Sequence, residues 1–199
     1  TLKPVTLTEE EMHNYYCGFS NEILWPLFHD LPSRCNFNPA YWKVYEAVNT
    51  KFAKAVADHT DEEDDYVWIH DYQLILVAAR LKSMGVRRHT GFFLHIPFPP
   101  LDGFVRLPWR FQILEALLQY DLVGFQTVRD RRNFMDCVRM LIPTSRVIGH
   151  GQVVRCLSAG REVLAGTFPI SIDFKQFADL AGAREVREQA WIIHANLPD

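Results

Sequence analysis

The sequence predicts an α/β fold built on a doubly wound parallel sheet. Three short apolar runs end at Ile69, Ile96 and Phe125. About 30 residues separate one end from the next, which is the length of a strand and a crossover helix in a parallel sheet. The runs are apolar throughout rather than alternating, as expected for strands covered on both faces. We therefore expect parallel, neighbouring strands over residues 66–70, 91–96 and 122–126.

The first predicted helix begins after Thr8. Thr8 and Glu11 match the capping-box pattern, in which each side chain accepts a hydrogen bond from the other residue's backbone N–H. Acidic residues in the first turn also suit the positive end of a helix. The apolar residues that follow have the spacing of one helical face: Met12, Tyr15, Tyr16 and Phe19.

A longer helix is predicted from Asn38 and Pro39. Asn38 suits the N-cap, and Pro39 suits the first turn, where its missing N–H has no helical partner to lose. One apolar stripe follows at helical spacing: Tyr41, Tyr45, Val48, Phe52 and Ala55. The stripe indicates a helix with one face in the core.

The later elements alternate in the order typical of a parallel sheet. Helices are predicted over 73–84, 108–120 and 128–141. Gly85 suits the end of the first of these, because glycine readily takes the left-handed conformation there. The final third predicts weaker strands with glycine turns over 147–172, and helices over 174–180 and 184–194.

Composition excludes several classes of protein. The formal net charge of −3 gives no electrostatic reason to expect nucleic acid or an anionic membrane surface as the main partner. No apolar run approaches the roughly 18–20 residues that span a bilayer. The four cysteines are Cys17, Cys35, Cys137 and Cys156. Their spacing matches neither a zinc site nor a disulfide scaffold, so we expect free thiols in a reducing, cytoplasmic location.

Polar residues follow each of the three predicted strands. Asp71 follows the first strand, His95 lies at the end of the second and Gln126 at the end of the third. In an open parallel sheet, ligands bind beyond the carboxyl ends of the strands. These side chains can accept from, donate to and orient a polyhydroxylated ligand. The combination is common in carbohydrate sites, although it is not diagnostic alone.

Other chemical signatures are missing or have ordinary structural explanations. The sequence has no dinucleotide-binding GxGxxG, P-loop, GxSxG or HExxH motif. His70 and Asp71 are adjacent on a strand and point to opposite faces, which argues against a shared metal. The simplest interpretation of Tyr16 and Trp25 is that they are core aromatics. The arginines of 129–132 are most simply a solvated helix face, and the residues 149–151 are a turn signal.

Five ordered segments resemble the trehalose-6-phosphate synthases of glycosyltransferase family 20. They are 15–29, 68–72, 91–99, 120–127 and 168–172, with the sequences YYCGFSNEILWPLFH, WIHDY, GFFLHIPFP, YDLVGFQT and FPISI. Each is longer than a chance motif, and together they span nearly the whole chain. The similarity is therefore highly specific.

The resemblance implies a Rossmann-like N-terminal half of a two-domain GT-B glycosyltransferase. It assigns residues 1–180 to an acceptor-side domain and 181–199 to a helix and linker toward a nucleotide-sugar domain. Residues 1–199 alone are therefore expected to be catalytically inactive. The implied reaction moves glucose from UDP-glucose to glucose 6-phosphate with retention, and it uses no metal and no cofactor. A homo-oligomer of the full-length protein is left open.

The resemblance also assigns roles to individual residues. Tyr16 matches a position that faces the acceptor phosphate, and Asp71 matches one that faces sugar hydroxyls. His95 matches the residue beside the donor glucose at the reacting centre. The other matching positions are Gln126, near the acceptor, and Trp25 and Ile96, which are tied to selection of the α anomer.

Some positions depart from the family pattern and keep other functions open. Gln73 stands where many members have His, and the segment 100–104 is unusual. Related synthases that use glycerol 3-phosphate as acceptor are the first alternative, although they typically have Thr in the segment where Ile96 stands here. A regulatory homologue that binds sugar phosphate without catalysis is the second. A structural or interaction fragment is the third.

Overall fold

The computed structural model describes residues 2–60 and 65–197, which form two compact units that divide between Pro169 and Ile170. The described part of the first unit contains a six-stranded sheet in the order β1-β2-β3-β6-β5-β4. Its strands are β1 (Tyr66–His70), β2 (His89–Leu94), β3 (Leu122–Phe125), β4 (Arg146–Ile148), β5 (Val153–Ser158) and β6 (Arg161–Thr167). Strands β1, β2, β3 and β6 are parallel, as predicted for the first three, while β4 and β5 add an antiparallel edge.

Helices connect and flank these strands. Those of the first unit are α1 (Glu9–Glu11), a π-helix (Met12–Leu24), α2 (Trp25–Phe28), α3 (Pro39–Ala57), α4 (Val77–Ser83), α5 (Leu101–Phe104), α6 (Arg110–Leu117) and α7 (Val128–Leu141), with 3-10 turns at Pro32–Arg34 and Tyr72–Leu74. The second unit contains α8 (Phe174–Ala181) and α9 (Arg184–Ala195) and buries none of its described residues. The functional division into 1–180 and 181–199 stays a prediction.

The capping box at the N-terminus is confirmed, but the helix after it is not an α-helix. The Thr8 hydroxyl accepts from the Glu11 N–H at 3.1 Å, and the Glu11 carboxylate accepts from the Thr8 N–H at 2.9 Å. From Met12 the chain is π-helical, and the Trp25 N–H donates to the Ser20 carbonyl, five residues back. π-Helices are rare, and most are single-turn bulges within α-helices that occur frequently at functional sites.

This wider helix changes which aromatic residues are buried. Tyr16 is 41% exposed and Trp25 is 40% exposed, so their interpretation as core residues is wrong. Tyr15 and Phe19 carry the contact with the core instead. Because each π-helical turn takes one more residue than an α-helical turn, the face drawn from α-helical spacing does not hold along this segment.

Helix α3 has the predicted cap and stripe, and it also orders the chain beyond β1. The Asn38 side chain accepts from the Ala40 N–H at 3.0 Å. Asn49, which is fully buried, donates to the carbonyls of Tyr45 and Gln73 and accepts from the Leu76 N–H. These bonds satisfy backbone groups that burial would otherwise leave unpaired. They fix the position of the residues that follow β1.

Strand β1 is less covered than its composition predicts. Val67 and Ile69 are buried, whereas Tyr66 and Trp68 are 59% and 62% exposed. The expectation that all three apolar runs are covered on both faces is therefore wrong for β1 within the described residues. Exposure alternates along β1 because the described chain packs against only one of its faces.

Aromatic rings lie flat on the sheet where glycines leave room for them. Gly124 of β3 pairs with Phe93 of β2 on one side and with Gly166 of β6 on the other. A Cβ atom at Gly124 would lie 2.7 Å from the Phe93 ring and 3.2 Å from the Phe168 ring. The close approach of these rings explains why glycine occupies this position.

Gly124→Ala is expected to lower the free energy of unfolding by about 1–3 kcal/mol, because an added methyl group must displace buried rings. Gly103→Ala is the matched control, since a Cβ there meets its nearest neighbour at an ordinary 3.6 Å. Urea unfolding of both variants measures the difference. Equal stability of the two would contradict this account of the packing.

The composition predicts free cysteine thiols and no membrane-spanning segment. Cys17 is exposed, Cys35 is half-buried, and Cys137 and Cys156 are buried; all four are free thiols, as predicted. Among the described residues, no helix has the length and apolar character needed to cross a membrane.

Candidate functional site

The candidate site lies at the carboxyl edge of the parallel strands. Strand register pairs His70 with Phe93 and Leu94 with Phe125, so β1, β2 and β3 end side by side. Asp71, His95 and Gln126 follow these ends, as the sequence predicts. This edge is where open parallel sheets place ligands.

Asp71 joins the ends of β1 and β2. Its backbone N–H donates to the Phe93 carbonyl at 2.8 Å. Its Oδ1 atom accepts from the Tyr72 N–H at 3.0 Å and from the His95 N–H at 3.1 Å. The residue has φ +70°, a left-handed conformation that is costly for any residue with a Cβ. The surrounding hydrogen bonds therefore hold the Asp71 carboxylate in one position on a strained backbone.

Two histidines are in contact at the same edge. His70 Nδ1 lies 2.9 Å from His95 Nε2, and the two rings stack with centroids 5.2 Å apart. The Phe93 ring meets the His95 ring edge-on at 4.8 Å. A hydrogen bond between two ring nitrogens needs one donor and one acceptor, so it forms only while at most one of the rings is protonated.

The environment of His70 favours its neutral form. Partial burial lowers the pKa of His70 below its ordinary value, and the charge of His95 lowers that pKa further, while the Asp71 carboxylate raises it. The Trp68 ring packs against the His70 ring with centroids 4.4 Å apart and the planes tilted by 45°. At neutral pH the pair is therefore suited to the hydrogen bond that orients His95.

The π-helix contacts the loop after β1 through Tyr72. The Tyr72 hydroxyl donates to Asn21 Oδ1 at 2.8 Å, and the Tyr45 hydroxyl donates to the Tyr72 carbonyl at 2.6 Å. Burial raises the pKa of Tyr72 to about 12, with further contributions from Asp71 and Tyr16. The electrostatic effect of Tyr16 on Tyr72 indicates that these two side chains are near one another.

The remaining predicted residues occupy the elements expected of them. The exposed Trp25 ring stacks on His29 with centroids 4.1 Å apart. Ile96 is half-buried and packs against the core just beyond β2, and Gln126 is half-buried at the end of β3. That Tyr16, Trp25, Asp71 and Gln126 line a single concavity stays a prediction.

Sequence reasoning places His70 and Tyr72 beside Asp71 at the end of the first strand without a role, and it does not identify Asn49. His70, Tyr72 and Asn49 all shape the position of Asp71 or His95. The strand-end rule accounts for His70, the last residue of β1, whereas its contact with His95 comes only from the structure. Within the described residues, no group of three or more His, Cys, Asp or Glu side chains is arranged to hold a metal ion.

Comparison with protein families and curated sequences gives consistent results. Residues 1–199 match the family described as Glycosyltransferase family 20. The chain is 42% identical to the trehalose-6-phosphate synthase of Mycolicibacterium vanbaalenii over 201 residues, which covers 99% of this chain and 41% of that protein. It is 42% identical to the enzyme of the same name from Mycolicibacterium smegmatis, covering 98% of this chain and 40% of that protein. The chain thus spans about two fifths of the length of these relatives.

Solved structures of similar fold carry related names. A trehalose-6-phosphate protein from E. coli bound with UDP-2-fluoro glucose has a TM-score of 0.81 and 36% identity, over 94% of this chain and 40% of that one. An α,α-trehalose-phosphate synthase (UDP-forming) from Burkholderia xenovorans in complex with glucose-6-phosphate has a TM-score of 0.81 and 32% identity, over 95% of this chain and 42% of that one. Both confirm the predicted fold class.

Proposed function

This chain belongs to glycosyltransferase family 20, and from that premise we propose that the protein carrying it transfers glucose from UDP-glucose to glucose 6-phosphate. The product is α,α-trehalose 6-phosphate, and UDP is released. Support comes from the curated relatives and from the solved structures with a UDP-glucose analogue or with glucose 6-phosphate bound. This chain contributes the acceptor side of the enzyme.

The observation that carries the proposal is the position of Asp71. Its backbone is held at φ +70°, and Oδ1 is engaged by the N–H groups of Tyr72 and His95. Among the described residues no hydrogen bond reaches Oδ2, so this oxygen is available to accept from a sugar hydroxyl. A fixed acceptor of this kind orients the attacking hydroxyl without reorganisation during the reaction.

Tyr16 and Gln126 complete the acceptor side in this proposal. Tyr16 is 41% exposed, so its side chain is accessible to a ligand, and its hydroxyl is proposed to bind the phosphate of the acceptor. Gln126, at the end of β3, offers an amide to the same sugar. Trp25 and Ile96 are proposed to select the α anomer through the shape of the wall that they form.

His95 is proposed to act beside the donor glucose. In the transfer, the bond between the anomeric carbon and the UDP oxygen breaks, and UDP leaves with the electron pair. A bond forms between that carbon and the acceptor oxygen, whose proton passes to the phosphate oxygen of the departing UDP. Positive charge develops on the sugar, and oriented dipoles stabilise it better than bulk water does. The contact with His70 holds the His95 ring in one orientation.

The proposal also covers the conditions of the reaction. The transfer is proposed to need no metal and no organic cofactor, as the family resemblance implies. A cytoplasmic location is proposed because all four cysteines are free thiols, which suits a reducing compartment. Assembly into a homo-oligomer is proposed for the protein as a whole.

An assay of UDP release by the protein that carries this chain tests the function. With UDP-glucose as donor, turnover is expected with glucose 6-phosphate, and EDTA is expected to leave the rate unchanged. Turnover with glycerol 3-phosphate alone would instead indicate the related synthase type. Binding of glucose 6-phosphate without turnover would indicate a regulatory homologue, and loss of activity in EDTA would contradict the metal-independent mechanism.

A further inference from the structure

A basic cavity lies between α7, the loop 149–152 and the end of β6. Its volume is about 570 Å³. The polar side chains of its wall are Arg131, Arg132, Arg139, His150, Gln152 and Thr167, and no acidic side chain lines it. None of these residues belongs to the acceptor or donor positions described above.

Part of the cavity wall comes from two segments that the sequence analysis interpreted as a solvated helix face and a turn, residues 129–132 and 149–151. Arg131 is only 6% exposed and donates to the Gly151 carbonyl, so the interpretation of residues 129–132 as a solvated helix face is wrong for this arginine. Gly149 and Gly151 have φ of +98° and +95°, which a residue with a Cβ rarely adopts. The glycines thus shape the loop that closes the cavity.

The positive charge of the cavity is largely uncompensated. Among the described residues Arg132 has no acidic partner, and its charge adds to burial in lowering the pKa of Arg131. Arg139 pairs with Asp136 at 2.6 Å, but both side chains are more than half exposed. Exposed pairs of this kind contribute little and exchange partners readily. An anion in the cavity would therefore relieve repulsion without first breaking a strong ion pair.

The spacing along α7 sets the shape of the ligand. Arg132 and Arg139 are two helical turns apart, which is about 10 Å along the axis. Met135 lies between them on the same side of the helix, and Val154 of β5 faces the cavity from the sheet. The wall therefore has two cationic ends separated by an apolar middle. Arginine binds phosphate oxygens with two parallel N–H donors, which adds geometric selectivity to the charge.

We propose that this cavity binds a small phosphorylated molecule, with one phosphate at Arg131 and Arg132 and a second anionic group at Arg139. The carbon skeleton of the ligand lies against Met135. The cavity volume suits a molecule of sugar size rather than a polymer. The site is additional to the transfer reaction, and its occupation does not depend on the proposed function.

Calorimetric titration of the protein that carries this chain tests the proposal. The probes are inorganic phosphate and fructose 1,6-bisphosphate, at fixed ionic strength because exposed charges are screened by salt. We expect saturable binding of both, with the bisphosphate at least tenfold tighter because it also reaches Arg139. The proposal would be overturned if even one of the two probes failed to show saturable binding.

Three arginine variants separate the site from general electrostatics. Arg132→Ala is expected to weaken both probes about tenfold or more, since it removes a charged hydrogen-bond donor. Arg139→Ala is expected to weaken only the bisphosphate. Arg129→Ala is the matched control, because Arg129 is an exposed arginine of the same helix that does not line the cavity. It removes the same charge and is expected to change either affinity less than twofold.

Two results would contradict the assignment. Equal weakening by Arg129→Ala and Arg132→Ala would show that only the general charge of α7 matters. A large rise in the KM for glucose 6-phosphate in Arg132→Ala would show that the cavity is part of the acceptor site. An unchanged KM together with weakened probe binding would support a separate anion site.

Discussion

Asp71→Ala is expected to lower kcat/KM for glucose 6-phosphate by about 10³-fold in the protein that carries this chain. The carboxylate offers a charged hydrogen bond to a sugar hydroxyl, which contributes about 1.5–3 kcal/mol. It also binds the backbone N–H of His95 at 3.1 Å. The substitution therefore removes an acceptor contact and releases the reacting end of β2, where small displacements cost about 10²-fold. Steady-state kinetics at saturating UDP-glucose measure the loss.

Asp71→Asn separates these two contributions. Asparagine has nearly the same shape as aspartate and keeps a side-chain oxygen for the N–H groups of Tyr72 and His95, but it lacks the charge. We expect a loss of about tenfold, much smaller than that of the alanine variant. Equal losses in the two variants would show that Asp71 does not position His95. An alanine variant within threefold of the parent would remove Asp71 from the site.

Local sequence signals predicted much of the framework. The caps at Thr8 and Asn38 formed as expected because each depends on a side chain and a backbone group only two or three residues away. Gly85 ends α4 with φ +80°, as a helix C-terminal glycine does. Helix α7 has the predicted bounds, Val128–Leu141. The parallel order of β1, β2 and β3 followed from the lengths of the crossovers between them.

Features that depend on distant parts of the chain were not predicted. Hydrophobic periodicity has no marker for a π-helix, so periodicity alone placed Tyr16 and Trp25 in the core, whereas the structure exposes both. The predicted helix over 73–84 is divided into a 3-10 turn and α4, where the buried Asn49 bonds to the Gln73 carbonyl and the Leu76 N–H. The strain at Asp71 and the contact between His70 and His95 depend on strand register between β1 and β2.

His95→Ala is expected to lower kcat by about 10²–10³-fold with little change in the KM for glucose 6-phosphate. The imidazole is proposed to lie where charge develops on the donor sugar, and one preorganised electrostatic contact contributes about that much to the rate. The acceptor is held by other residues, so its binding is expected to persist. Single-turnover and steady-state kinetics distinguish these effects. A change confined to KM would contradict a role at the reacting centre.

The contact between His70 and His95 adds a pH dependence to this role. The pKa of His70 is lowered in the folded protein by burial and by His95, against the opposing effect of Asp71. The unfolded chain therefore binds more protons, and the contribution of His70 to stability is present above about pH 6.5 and is lost as pH falls through the folded-state value. Protonation of both rings also breaks the bond between Nδ1 and Nε2. We expect kcat and Tm to fall together on the acid side.

His70→Gln removes the titrating group while leaving His95 in place. Its Tm is expected to fall less steeply below about pH 6.5 than that of the parent, because the neutral amide gains no proton. The acid limb of kcat is expected to move as well, since proton binding at position 70 no longer contributes to it. His59→Gln is the control, because His59 is an exposed histidine whose ring contacts the Ala55 carbonyl, away from the site. If both variants kept the parent's acid limb, proton binding at His70 would not govern the orientation of His95.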